Sequence, residues 1–204
     1  MSKKTKEQTP SFVIICFTTD TELYRPMTII RQYLVCEECS NVKYLKDEGV
    51  EFENNLNKDI KLTRCKFVEI LNIDKCNSKC NIADSYLIIV NLEKEEIFEQ
   101  LDLIYNYIQN NGNTEKKIYV FGLYINIDNI KDDYKDDNLK DYLDQQKLNF
   151  QYFMINFDST NDLVKAIDFI SSDTNKSKIE ANKLQNNDRN ELDKGQSESK
   201  CFVF

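Results

Sequence analysis

Residues 86–108 read YLIIVNLEKEEIFEQLDLIYNYI. The opening run, Tyr86 to Val90, is apolar without interruption and bounded by polar residues, the pattern of a short strand buried on both faces. Apolar residues then recur at Ile97, Phe98, Leu101, Ile104, Tyr105 and Ile108, which is one face of a helix over three turns. A fully buried strand followed by an amphipathic helix is the repeating unit of a parallel sheet covered by helices.

The same alternation extends in both directions. Upstream, Ser11 to Phe17 (SFVIICF) is a second buried strand, Pro26 suits the first turn of a helix, and Ile29, Ile30, Tyr33 and Leu34 share one helical face. Gly49 to Asn55 and Ile60 to Ile73 read as two strands around the polar turn Asn57-Lys58-Asp59. Downstream, Lys117 to Ile125 is apolar and β-rich, Asn138 to Gln146 reads as a weakly amphipathic helix, and Phe150 to Phe157 is a last strand. Asp158-Ser159-Thr160-Asn161 offers capping side chains before Leu163, Val164, Ala166, Ile167 and Ile170. The order predicts an α/β fold of three layers: a mostly parallel six-stranded sheet, one strand antiparallel, with helices on both faces. The domain is expected over 11–170, after a disordered N-terminus at 1–10. Over 171–200 the apolar content collapses and six basic residues face six acidic ones without periodicity, so a disordered tail is expected there.

Composition sets the class. A length of 204 residues accommodates one ordinary domain and a tail, and 41% hydrophobic with 30% charged residues suits a sizeable core under a soluble surface. The net charge of −8 argues against backbone-driven binding to nucleic acid. No apolar run approaches the roughly 18 residues that cross a bilayer, and the polar start Met1 to Pro10 does not read as a signal peptide. Seven cysteines without such a signal imply free thiols in a reducing cytosol, and the absence of histidine removes the commonest general base and metal ligand.

Several local stretches, taken in order, resemble the Ras superfamily of small GTPases, and the Rab group within it. Gly49-Val50-Glu51-Phe52 looks like the segment that Rab proteins carry at the start of their second strand. Ile82-Ala83-Asp84-Ser85 before YLIIV, with Phe98-Glu99 after it, is similar to the family's fourth strand and third helix. Phe121-Gly122 sits where the fifth strand leads into the guanine-reading loop, and Phe153 through Ile167 tracks the sixth strand and last helix. The resemblance spans about residues 11–170 and implies a P-loop small-GTPase-like fold; the rival is a flavodoxin-like or other doubly wound domain.

The residues that bind and hydrolyse GTP in that family are nearly all replaced. A phosphate loop needs glycines, a Lys for the β/γ-phosphates and a Ser or Thr for Mg²⁺. Residues 18–28 read TTDTELYRPMT, with Pro26 at the Lys position, Met27 at the Mg²⁺ hydroxyl, and Asp20 and Glu22 adding negative charge. At an effective dielectric of about 20, one charge pair about 4 Å apart is worth about 4 kcal/mol. Arg25 and Thr28 are the residues that could recover part of a phosphate site. The Thr of the first switch falls at Asp47, and the metal-organising Asp and following Gly fall at Asn72 and Lys75, with Asp74 nearby. Ten residues separate Asn72 from Ala83, too few for the usual second switch and its helix, and none of them is the water-positioning Gln. The guanine-reading motif falls at Leu123-Tyr124-Ile125-Asn126, leaving Asn126 and Asp128 as vestiges, and the Ser-Ala-Lys loop falls at Asn156-Phe157-Asp158. The resemblance therefore implies a pseudo-GTPase with no catalytic residues; GTP or GDP with Mg²⁺ belongs only to the alternative of a divergent, active switch.

Two features stand apart from the nucleotide motifs. Cys36-x-x-Cys39 and Cys76-x-x-x-Cys80 could supply four thiolates to a tetrahedral zinc, although free cytosolic thiols are the expected state. The chain ends Cys201-Phe202-Val203-Phe204, a prenylation box whose terminal Phe directs geranylgeranyl attachment to Cys201. One lipid gives reversible attachment, so a membrane surface, a prenyl transferase and effector or trafficking proteins are the expected partners. Gly49, Val50 and Phe52 are the expected effector surface. The function implied is a membrane-associated binding module in vesicle trafficking, peripheral on the cytosolic face of an endomembrane. A structural subunit of a larger complex is the remaining alternative.

Overall fold

The computed structural model describes residues 11–37, 39–45, 49–54, 63–70, 82–111, 114–134, 136–146 and 148–197. Seven strands and four α-helices follow one another as β1 (Ser11–Thr18), α1 (Pro26–Cys36), β2 (Ser40–Leu45), β3 (Gly49–Asn54), β4 (Thr63–Ile70), β5 (Ser85–Asn91), α2 (Ile97–Asn111), β6 (Ile118–Tyr124), α3 (Asp136–Gln145), β7 (Phe150–Asn156) and α4 (Thr160–Ser197). The strands form one mixed sheet in the order β2-β3-β4-β1-β5-β6-β7. β4, β1, β5, β6 and β7 are mutually parallel, while β3 is antiparallel to both β4 and β2.

The two sheet faces are both covered. Phe12, Ile14, Cys16, Val50, Phe52, Phe67, Leu87, Ile89 and Phe121 pack with Ile29, Ile30 and Tyr33 of α1 and Leu163, Ile167 and Ile170 of α4. On the other face Ile15, Phe17, Val68, Tyr86, Ile88, Val90 and Val120 pack with Ile97, Leu101, Ile104, Tyr105 and Ile108 of α2 and Leu139 and Leu143 of α3. Successive strand residues point to opposite faces, so β5 divides its side chains between the two layers and all seven are buried. The hydroxyl of Tyr33 donates to Asp168 Oδ1 at 2.6 Å, tying α1 to α4.

The structure departs from the sequence expectation in two places. The sheet has a seventh strand: Ser40–Leu45 pairs with β3 at the sheet's margin. Its four central residues are exposed, so no buried alternation marks it as a strand. A bulge falls at Asn41, whose φ is 52°. The turn Asn57-Lys58-Asp59 and the outer parts of the expected strand Ile60–Ile73 lie outside the described residues.

The second departure is α4, which does not end where apolar periodicity ends at Ile170. It continues to Ser197, a rod about 57 Å long at 1.5 Å per residue. Here polar groups replace apolar ones in the packing, and Ser171 and Thr174 are buried. Thr174 Oγ1 lies 2.8 Å from Ser85 Oγ and donates to the Tyr119 hydroxyl at 3.5 Å. Tyr119 and Lys117 both donate to Asp173 Oδ2, at 2.7 and 2.6 Å, and Lys178 Nζ donates to Asp84 Oδ2 at 2.7 Å. Asp162/Lys165 and Glu180/Lys183 add the i,i+3 spacing of opposite charges that supports a helix. Thr174→Val, nearly isosteric, removes the hydroxyl partner of buried Ser85 and should cost about 1–3 kcal/mol in urea unfolding. An unchanged midpoint would mean that α4 is not docked past Ile170.

Candidate functional site

Open α/β sheets bind ligands at the carboxyl ends of their strands, where loops and helix N-termini present free N–H groups. Among the described residues several of those groups are taken by side chains. The β1–α1 loop turns on Thr18, whose hydroxyl donates to Tyr24 O at 3.0 Å and accepts from Asp20 N at 3.0 Å. Asp20, 2% exposed, sits at the loop's centre. Its Oδ1 accepts from the backbone N–H of Glu22 and Leu23, at 3.0 and 3.1 Å. Its Oδ2 accepts from Asn91 Nδ2 at 2.9 Å and Lys94 Nζ at 3.1 Å. Burial by itself would raise the Asp20 pKa; Asn91, the Leu23 N–H, Lys94 and the Glu22 N–H outweigh it and hold the carboxyl below its usual value.

A second carboxylate closes the start of α1. Arg25, at the N-cap, makes no side-chain cap, and Pro26 has no N–H to offer. Glu69, near the end of β4, reaches across instead. Its Oε1 accepts from Met27 N at 3.1 Å and its Oε2 from Arg25 Nη2 at 2.6 Å. A helix N-terminus attracts an anion, and here the anion belongs to the chain itself.

Glu93 is the third. Its Oε1 accepts from Asn126 N at 2.8 Å and Ile125 N at 3.3 Å, fixing the β6–α3 loop. Asn91, 4% exposed at the end of β5, links the two ends of this arrangement: its Nδ2 binds Asp20 and its Oδ1 accepts from Glu93 N at 3.0 Å. Between the first and last loops, Tyr24 is fully buried with its ring edge-on to Phe157, centroids 4.9 Å apart. Burial first, then the charges of Glu93, Asp20 and Asp158, push the Tyr24 phenol up to about 12.

The residues singled out in the sequence fall as follows. Arg25 is held by Glu69, and Thr28 lies exposed beside it on α1. Asn126 accepts from Asp128 N through its own side chain at 3.0 Å, capping a single 3-10 turn over Ile127–Asn129. The two pairs therefore lie apart, Arg25 and Thr28 at the start of α1 and Asn126 and Asp128 in the β6–α3 loop. Gly49, Val50 and Phe52 do not form a surface: Val50 and Phe52 are 0% and 1% exposed beneath α1, because even-numbered β3 side chains face that helix. Gly49 is required by backbone geometry, with φ of 137° and an added Cβ 1.9 Å from Phe67 O. Cys36 is exposed and Cys39 half-buried; burial first, then Glu37 and Asp168, push the Cys39 thiol up to about 12, which disfavours the thiolate a zinc needs. Among the described residues no group of three or more His, Cys, Asp or Glu is placed to hold a metal. Asp74, Cys76, Cys80 and Cys201 lie outside the described residues. Asn91, Glu93, Lys94 and Glu69 went unnoticed in the sequence; the available signal was polar residues placed at the ends of buried strands.

The depressed Asp20 pKa fixes the sign of a pH effect. Its contribution to stability is present above the unfolded carboxyl value of about 3.9 and is lost as pH falls through the lower folded value. Asp20→Asn should lower stability at pH 7 by about 1–3 kcal/mol. It should also flatten the loss of stability below about pH 4, read from urea midpoints across a pH series. Equal acid limbs in both proteins would show that Asp20 is not held this way. No protein-family model matches the chain and no curated protein matches its sequence, so the meaning of this closed edge rests on its own geometry.

Proposed function

We propose that this chain is a small-GTPase-like domain of Rab type that has exchanged its nucleotide for internal carboxylates and works as a binding module. The observation that carries the reading is the Asp20–Asn91–Glu93 network, which holds the N–H groups of Glu22, Leu23, Ile125 and Asn126 that a phosphate or base would otherwise approach. A triphosphate would have to displace Asp20 and Glu69 and then sit against them, with Lys94 and Arg25 the cations already committed there.

The antiparallel strand beside β4 supports the small-GTPase reading over the flavodoxin-like one. With β2 set aside, an antiparallel strand next to β4, then β1, β5, β6 and β7 in sequence, is the arrangement the resemblance implies. A flavodoxin-like sheet shares the order of the five parallel strands, 2-1-3-4-5 when they are counted along the chain, but carries no antiparallel strand beside β4. β2 is an addition to that family pattern. A fixed domain follows from the closed edge: loop switching needs a γ-phosphate–Mg²⁺ contact that favours one state.

Prenylation at Cys201, peripheral residence on an endomembrane and a role in vesicle trafficking belong to this proposal through the family resemblance. Among the described residues no helix is long and apolar enough to cross a membrane, so attachment in this reading is through lipid and partners. Protein purified in its native state and then denatured should release no stoichiometric guanine nucleotide. Close to one nucleotide per chain would make it a divergent switch and overturn the proposal. Cys201→Ser should move the protein from the membrane to the soluble fraction of cells; unchanged fractionation would remove the lipid from the account.

A further inference from the structure

The loops at 19–25, 92–96, 125–135 and 157–159 follow β1, β5, β6 and β7, which are parallel, so all four stand at one end of the sheet. They carry nine acidic residues against four basic ones. Three of those cations are already held by carboxylates: Arg25 by Glu69, Lys94 by Asp20 and Lys131 by Glu95. The fourth, Lys135, lies outside the described residues. Glu22, Glu96, Asp128 and Asp158 are exposed, and among the described residues no cation pairs with them. The edge that the Asp20–Asn91–Glu93 network closes is therefore strongly negative at its rim.

Apolar side chains stand on the same loops. Leu23 is 44% exposed, Ile125 41% and Ile127 58%. The network fixes their backbone, since Leu23 N is held by Asp20 and Ile125 N by Glu93. Tyr24, packed edge-on to Phe157 of the last loop, is fully buried, and its hydroxyl has no hydrogen-bond partner. The charges that raise its phenol are those of Glu93, Asp20 and Asp158, which sets the hydroxyl end among the carboxylates. A buried hydroxyl without a partner carries a cost that a ligand can relieve.

We infer that this edge docks a basic segment of a partner protein, with Lys or Arg heads on Glu22, Asp128 and Asp158 and apolar side chains against Leu23, Ile125 and Ile127. A guanidinium or ammonium group at Glu93 and Asp158 donates to the Tyr24 hydroxyl oxygen and supplies the partner it lacks. Charge selects the occupant. Nucleotides, nucleic acid and anionic lipid all bring phosphate to a rim that is already negative. A second copy of this chain, which carries −8, would set one acidic rim against another. The three apolar side chains favour a protein segment over a small free cation, because they need an apolar surface to cover them. This inference names the partner chemistry of the binding-module reading and rests on it.

The test pans a display library of short random peptides against the full chain, then measures the best enriched peptide by fluorescence anisotropy. Enriched sequences should combine Lys or Arg with Leu, Ile or Phe, and their binding should weaken as salt rises. Affinity should fall about ten-fold or more in the double variant Glu22→Lys with Asp128→Lys and in Ile127→Ser, all surface changes. Tyr24→Phe should keep or raise the urea midpoint and still weaken the peptide about three-fold or more, because its hydroxyl gains a partner only on binding. Glu180→Lys, on the outer part of α4, should bind as the unaltered chain does. No enrichment, enrichment of acidic peptides, unchanged affinity in any of the three edge variants, or an equal loss in Glu180→Lys would overturn the inference. So would a concentration-dependent dimer of the free chain that the edge variants break, which would assign the edge to a second copy. A parallel titration with GTP and Mg²⁺ separates the two readings. Nucleotide binding would defeat the closed-edge reading and this inference with it; a chain that takes neither nucleotide nor peptide would defeat this inference alone.

Discussion

The buried side-chain amide of Asn91 is the contact on which the loop edge of this molecule depends. It donates to Asp20 on one side and accepts from Glu93 N on the other, so a single residue at the end of β5 sets both the β1–α1 loop and the β5–α2 loop. Glu93 then carries the restraint to the β6–α3 loop. A carboxylate as enclosed as Asp20 is costly unless its oxygens are fully hydrogen-bonded. Two backbone N–H groups, one amide and one ammonium meet that requirement, and the N–H groups of Glu22 and Leu23 are thereby bonded within the chain.

That closure shapes the rest of the surface. One end of the sheet is tied by Asp20, Glu69 and Glu93, and the other is tied by α4 through Asp173, Thr174 and Lys178. Helices cover both faces, and β7 is flanked on both sides. Among the described residues β2 and β7 are the strands with a neighbouring strand on one side only.

Much of the frame was readable from residue pattern alone. The runs at 11–17, 86–90 and 117–125 and the helical spacing at 97–108 correspond to β1, β5, β6 and α2 to within a few residues, because burial on both faces or on one face imposes a period. Asp20 was visible as a charge out of place in a phosphate loop. β2 was not legible, since an exposed edge strand has no burial pattern to reveal it. The extension of α4 was hidden for a related reason: Asp173, Thr174 and Lys178 dock by hydrogen bonds to residues up to 94 positions away, which hydrophobic spacing does not record. The expected effector residues Val50 and Phe52 were apolar because they are core, a distinction that depends on which face of β3 meets α1.

The most direct measurement is a two-dimensional amide NMR titration of the full chain with GTP and Mg²⁺ at neutral pH. The account predicts that the resonances of Glu22, Leu23, Met27 and Asn126, whose N–H groups are held by Asp20, Glu69 and Glu93, stay in place throughout the titration. Saturable movement of those four resonances would show that the carboxylates yield to nucleotide, and the account of a self-occupied site would be wrong.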